Sequence, residues 1–539
     1  RANKDGWIAR AEEVDVMVVM NPETALEDMA KVRAGATVVL NTDLKLDTQR
    51  TDITVCRVPF GQIVAGACPD PKLRKLVTNI IYVGILAHLL DLDMAEIEKA
   101  MQQVFKGKAK AIQINLEAAK AGLAWAQEHL DKAQCPFRVA PMQATAGKMI
   151  IDGNAAAAIG CLMAGVQVLT WYPITPSSSL CESLIDLLKA HRTEPDGKAS
   201  FAVIQAEDEL AALGMAVGAG WAGARAMTST SGPGVSLMAE FTGLAYYAEI
   251  PVVIFDIQRT GPSTGLPTRT QQGDLFSTAY LSHGDTKHLV LLPGSPLECY
   301  QLAYDAFDLS ERFQTPVFVL SDLDLGMNDW MAEPFPYIEK QWDRGKVLTA
   351  EDLEKIETFA RYKDVDGDGI PYRTLPGTPS AKAPYFTRGS GRNDRAQYSE
   401  RPDDYVNQVD RLARKFETAR AEMPKPVTQL VEGAKVGIIA YGTSDYAVEE
   451  ARAELTKAGV PTHYMRIRAF PFDPGIRDFV NACDKVYVID QNRDGQMRML
   501  LRLEFPELSM KFDSITHYTG LPIGAQFLVR AILDSEKGQ

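Results

Sequence analysis

VQVLTWYPITPSSS (166–179) and SFAVIQAEDELAAL (200–213) are the stretches whose reading decides the fold. Each is an apolar run that stops at turn or capping chemistry and gives way to a helix. The spacing predicts strands at 166–172 and 201–205, the second followed by a helix of small residues at 210–220. Strands separated by helices pair in parallel, with the helices covering the sheet.

The same rhythm extends in both directions. A Gly- and Ala-rich helix is predicted at 153–165, and further strands at 224–228, 251–258 and 316–321. Near the C-terminus, strands at 435–441, 462–468 and 485–490 alternate with helices, which run on to the end. The N-terminal block reads as strands at 14–20 and 37–41, then helices at 71–90, 94–105 and 109–129. The fold class expected is α/β with three parallel-sheet domains, at 1–130, 147–334 and 431–539. Residues 131–146, broken by Pro136 and Pro141, form a linker. Residues 335–430, rich in Pro, Gly, Asp and Arg, form an extended arm too long for a simple connection.

Bulk properties narrow the function. The 539 residues carry a net charge of -13, against the basic surface that nucleic-acid binding requires. The longest apolar run, 80–92, is broken by Tyr82, His88 and Asp91, so no membrane span is expected. The chain begins with Arg1 and shows no leader, so the expectation is a cytoplasmic protein whose true start lies upstream. Seven cysteines without a C-x-x-C pair offer no local zinc or iron–sulfur ligand set. No metal-ligating residue is assigned.

Four segments carry chemistry. YPITPSSS (172–179) ends a strand and opens a helix, presenting hydroxyls and N–H groups suited to an anion; a Pro-rich turn with a serine cap explains it equally. QAEDE (205–209) places three acids at a strand end, where they either cap the next helix or bear on a ligand; Glu207 lies nearest the strand end. TSTSGPG (228–234) lacks the Lys of a nucleotide-binding loop, yet Gly232 and Gly234 let backbone approach a ligand closely, or allow tight helix packing. DIQRTGPSTGLPTRTQQGD (256–274) combines Arg259 with hydroxyls and glycines, a composition for holding a carboxylate.

In this order and spacing the four segments resemble the alpha subunit of 2-oxoacid:ferredoxin oxidoreductases, with a gamma-like domain fused ahead of it. The resemblance implies that 147–334 binds the pyrimidine side of thiamine diphosphate through Tyr172, Pro173, Ile174, Glu207 and Gly232. Glu207 then matches the catalytic acid that bonds the aminopyrimidine ring. Thr175, Arg259 and Thr268 match residues that hold the carboxylate of the 2-oxoacid. AYGT (440–443) and VIDQN (488–492) resemble the transketolase C-terminal domain. DGDGIPYRTLPGT (366–378) and YFTRGSG (385–391) resemble alpha chains that act on 2-oxoglutarate.

DVDGDGI (364–370) is no EF-hand, since Leu375 stands where a bidentate Glu is needed, and no Asn pair follows it as in a diphosphate–magnesium motif. The resemblance therefore assigns diphosphate, Mg and a [4Fe-4S] cluster to a beta subunit, in a dimer of alpha–beta heterodimers. The activity implied is decarboxylation of 2-oxoglutarate onto coenzyme A with reduction of ferredoxin, or the reverse carboxylation. Pyruvate, a branched 2-oxoacid or indolepyruvate as substrate, and a non-catalytic assembly subunit, stay open. A dehydrogenase is disfavoured, because no G-x-G-x-x-G follows a strand.

Overall fold

The computed structural model describes residues 1–46 and 48–537. The chain divides into two compact units, 1–7 with 11–146, and 8–10 with 147–539. Both are α/β, with sheets dominated by parallel pairing.

The first unit holds a parallel sheet of Val16–Val19, Thr37–Asn41 and Thr54–Val58 in that order. The third strand, TVCRV, was not foreseen, because it is short and only two of its residues are buried. Helices Pro71–Leu90, Met94–Phe105 and Ala109–His129 form where the periodicity placed them. Asp70 caps the first by accepting from the Lys72 N–H at 2.9 Å, and Pro71 opens it. This helix begins nine residues before the apolar run at 80, and so has the length and composition of a membrane-crossing segment that the sequence reading did not find. It packs on Ala109–His129 through a reciprocal pair of glycines. A Cβ on Gly84 would fall 1.9 Å from the Ala119 carbonyl oxygen, and one on Gly122 2.2 Å from that of Ile81.

The second unit contains two larger sheets. The seven-stranded one runs Ala469–Phe470, Leu289–Leu291, Pro316–Asp322, Val252–Gln258, Ala226–Thr230, Val168–Trp171, Ala202–Gln205. All pairs are parallel except the first. Central strands such as Val252–Gln258 are buried throughout, as expected of a sheet covered on both faces. The five-stranded sheet runs Val427–Gln429, Thr462–Ile467, Val436–Tyr441, Lys485–Asp490, Phe512–Thr516. Phe512–Thr516 is a strand where only helices were expected, because its polar Asp513 and Ser514 break the apolar run.

Residues 335–430 are not wholly extended, since helix Pro402–Arg420 lies within them. The segment is fastened to the body of this unit by buried charge. Glu249 accepts from Arg411 Nη2 at 2.5 Å and Nη1 at 3.0 Å, and from Lys415 Nζ at 2.9 Å. Arg225 bonds Asp308 at 2.7 Å and Glu311 at 2.8 Å, and Glu311 also pairs with Arg344 and Arg373.

Candidate functional site

Parallel strands deliver their carboxyl ends to one edge of the sheet, where open α/β folds place ligands. Four adjacent strands end there in the four chemistry-bearing segments. In spatial order these follow Val252–Gln258, Ala226–Thr230, Val168–Trp171 and Ala202–Gln205. Pairing order, rather than sequence order, brings Arg259 within reach of Thr175.

YPITPSSS turns on itself. Ser178 Oγ accepts from the Ile174 N–H at 3.0 Å, and Ser177 N–H donates to the Ile174 carbonyl at 2.9 Å. Buried Asn154 holds the turn from beneath, donating to the Pro176 carbonyl at 2.9 Å and to Ser179 Oγ at 2.8 Å. Ser177 makes no side-chain cap. Its hydroxyl and that of Ser178 are engaged inside the turn, while Tyr172, Pro173 and Thr175 are exposed and Ile174 is half-buried. The peptide bond Thr175–Pro176 is cis.

The three acids of QAEDE separate by environment. Asp208 is the helix cap, accepting from the Ala211 N–H at 2.7 Å, and so accounts for the capping alternative by itself. Glu207 is exposed at the strand end. Glu209 is buried at 6% exposure against TSTSGPG, its Oε1 2.9 Å from where a Cβ on Gly234 would sit. Gly232 faces Asp274, whose carboxylate lies 2.7 Å from a Cβ placed there, so this position admits no side chain without displacing the acid.

Arg259 is 8% exposed. Its Nη1 donates to the Thr175 carbonyl at 2.7 Å, and its buried Nε has no partner. One edge of the guanidinium is therefore anchored, and the Nε–Nη2 edge is the one that can grip a carboxylate with two parallel bonds. Thr268 is exposed on the hairpin that follows, and no hydrogen bond joins it to Arg259 or Thr175 among the described residues. That hairpin closes through Thr260 N–H to the Arg269 carbonyl at 2.9 Å. Gly265 is required in it, at φ +52° with a Cβ position 1.9 Å from the Thr260 carbonyl oxygen.

The loop's far end is pinned at Gln272, which sequence reasoning missed. Its carbonyl accepts from Tyr441 Oη at 3.2 Å and Asn492 Nδ2 at 2.9 Å; its Nε2 donates to Asp322 Oδ2 at 2.9 Å. AYGT and VIDQN thus converge on one carbonyl. Only their abrupt ending of buried strands hinted at a role.

The loop 364–370 carries its own cation. Lys346 Nζ lies 2.5 Å from Asp366 Oδ2, 2.8 Å from Asp368 Oδ2 and 3.0 Å from the Ile370 carbonyl. Asp364 shapes the turn by accepting from the N–H groups of Gly367 and Gly369.

The parallel sheet gathers these four loops along one edge, the arrangement in which open α/β folds place a ligand. A family model described as the thiamine-diphosphate-binding domain of pyruvate flavodoxin/ferredoxin oxidoreductase matches residues 159–352, and one described as pyruvate ferredoxin/flavodoxin oxidoreductase matches 3–125. The chain belongs to the alpha subunits of the 2-oxoacid:ferredoxin oxidoreductases. It is 33% identical to subunit alpha of 2-oxoacid:ferredoxin oxidoreductase 2 of Aeropyrum pernix over 511 residues, 91% of this chain and 74% of that one. It is also 33% identical to the 2-oxoglutarate synthase subunit KorA of Methanothermobacter marburgensis, over 64% of this chain and 88% of that one. Among solved structures, the 2-oxoglutarate:ferredoxin oxidoreductase from Magnetococcus marinus with 2-oxoglutarate, coenzyme A and succinyl-CoA bound superposes with a TM-score of 0.85. Its identity is 29%, over 96% of this chain and 88% of that one.

Proposed function

We propose that this chain is the alpha subunit of a 2-oxoglutarate:ferredoxin oxidoreductase, converting 2-oxoglutarate and coenzyme A to succinyl-CoA and CO₂ with reduction of ferredoxin, or running in reverse. The observation that carries this reading is Arg259, buried at the loop edge with its Nη1 bound to the Thr175 carbonyl and its Nε without a partner. The relatives that act on 2-oxoglutarate support the choice of substrate. The generic 2-oxoacid name of the Aeropyrum relative favours a second reading, in which pyruvate or a branched 2-oxoacid is also accepted.

Residues 147–334 take the pyrimidine side of thiamine diphosphate, with Tyr172, Pro173, Ile174 and Gly232 around it. The residues present fit that half of the cofactor: the edge offers a carboxyl, unpartnered buried hydroxyls such as Ser231 Oγ, and exposed turn backbone. The bound cofactor supplies the carbanion chemistry. This chain's part is to hold a proton at the aminopyrimidine ring and to orient the substrate. An acid sharing a proton with a ring nitrogen works best shielded from water, and Glu209 has that shielding in this chain. We take Glu209 as that acid. Glu207 is the second reading, favoured by its place at the strand end, and requires a partner chain to cover it. Thr175 and Arg259 orient the 2-oxoacid, and Thr268, exposed on the hairpin after Arg259, is the third residue assigned to it.

Diphosphate, Mg and a [4Fe-4S] cluster belong to a beta subunit, and the assembly is a dimer of alpha–beta heterodimers in the cytoplasm. Residues 1–130 act as a gamma-like domain and 431–539 as a transketolase C-terminal-like domain that seats Gln272. Co-expression with the beta subunit and assay of CoA-dependent ferredoxin reduction tests the proposal. 2-Oxoglutarate is expected to give the highest kcat/KM; faster turnover of pyruvate would overturn the substrate assignment.

A further inference from the structure

Behind Arg259 stand two acids that the reaction described above does not use. Asp256, fifth residue of Val252–Gln258, is fully buried, and neither carboxylate oxygen has a partner. It lies opposite Thr230 in the neighbouring parallel strand and points to the same face. Asp274 ends the loop that Arg259 begins. Its N–H donates to Gln258 Oε1 at 3.0 Å, its carboxylate packs on Gly232, and its Oδ2 is buried and unpartnered.

Burial pushes the Asp274 carboxyl up to about 6, against the pull of the Arg259 guanidinium. Burial, and then the neighbouring Asp274 charge, hold Asp256 well above the ordinary carboxylate range. Tyr441 also faces Asp274 and is kept neutral by burial, and the Glu209 carboxyl stands beside Thr230 at Gly234. Two adjacent buried carboxyls do not both ionise, so Asp256 is protonated and Asp274 balances the charge of Arg259.

We propose that Asp274, backed by Asp256, is a positioning residue that couples docking of a substrate carboxylate on Arg259 to uptake of one proton. It rests on the reading of Arg259 above. Before binding, the guanidinium, the ionised Asp274 and the neutral Asp256 sum to zero. A carboxylate on the Nε–Nη2 edge adds a negative charge in a water-poor place and cancels the field that kept Asp274 ionised. Asp274 then takes a proton from solvent, and returns it when the carboxylate leaves. No covalent bond to carbon changes. The consequence is substrate affinity that weakens as pH rises, because the uptake becomes harder to satisfy.

The test is calorimetry of 2-oxoglutarate binding to the assembled enzyme stripped of thiamine, at pH 7 in phosphate and in Tris. The difference in heat between buffers is expected to report uptake of a large fraction of one proton, and Asp274→Asn to abolish it. Should Asp274→Asn fail to fold, the same measurement on the unmodified enzyme at pH 5 serves: Asp274 already holds its proton there, and the uptake is expected to shrink toward zero. In the holoenzyme, KM is expected to rise with pH above about 6 and the Asp274→Asn profile to be flat, with kcat changed only a few-fold. Binding with equal heats in both buffers overturns the proton coupling alone. Absence of 2-oxoglutarate binding overturns it together with the reading of Arg259.

Discussion

Arg259 donates from Nη1 to the main-chain carbonyl of Thr175 at 2.7 Å, spanning the ends of two strands that have Ala226–Thr230 between them. The guanidinium is thereby fixed by backbone at Nη1, and its buried Nε is left without a partner. Lysine has neither the planar fork nor two usable edges. Arg259→Lys is expected to raise the KM for the 2-oxoacid by about 10- to 100-fold, the loss of one or two charge-assisted hydrogen bonds. Thiamine affinity should stay unchanged, which fluorescence titration of the assembled enzyme checks.

The foot of the same loop gives a second expectation. Tyr441 and Asn492 both donate to the Gln272 carbonyl. Tyr441→Phe removes one bond and should cost about 1 kcal/mol, while Asn492→Ala also strips the acceptor of the Gly495 and Gln496 N–H groups and should cost about 2 kcal/mol. Denaturant melts measure both. Because the loop carries Arg259, KM should rise in each variant with little change in kcat.

Glu249 joins the body of its unit to helix Pro402–Arg420. Burial alone would raise its carboxyl, but Arg411 and Lys415 overcome this and hold it well below the ordinary carboxylate range. A depressed folded value contributes stability above the unfolded value of about 4.3 and loses it as pH falls. Glu249→Gln leaves buried cations without a counter-charge and is expected to cost about 3–5 kcal/mol. It should also flatten the acid limb of the stability profile, as melting between pH 7 and 3 would reveal.

Much of this was legible in the sequence, for a physical reason. Long helices such as Ala109–His129, and strands buried on both faces such as Pro316–Asp322, advertise themselves by periodicity and apolar runs. Thr54–Val58 and Leu289–Leu291 did not, being short, and helix Pro402–Arg420 was hidden because its buried face carries Gln408, Arg411 and Lys415. Site segments were readable as turn chemistry, but partners were not. Nothing in QAEDE says that Asp208 caps, Glu209 is buried and Glu207 is exposed. Nor does the sequence disclose that Asn154 holds the Pro176 carbonyl, or that Lys346 fills the 364–370 loop.

That ammonium gives a further expectation. With Lys346 between Asp366 and Asp368, neither a chelator nor millimolar calcium should shift the melting temperature. Lys346→Met should lower it, the two acids being left to repel each other, by about 1–2 kcal/mol for partly exposed groups. A calcium-dependent shift in the unmodified chain would contradict the assignment.

The most direct measurement concerns the acid that this chain is proposed to contribute. Exchange of the C2 proton of thiamine diphosphate bound to the assembled enzyme can be followed by quenched deuterium labelling in Glu209→Gln and Glu207→Gln. Glu209→Gln is expected to slow exchange by about 10²- to 10⁴-fold while fold and cofactor affinity are retained, and Glu207→Gln to stay near the unmodified rate. Slow exchange in Glu207→Gln alone would transfer the role to that residue. Unmodified exchange in both would contradict the claim that this chain supplies the activating acid.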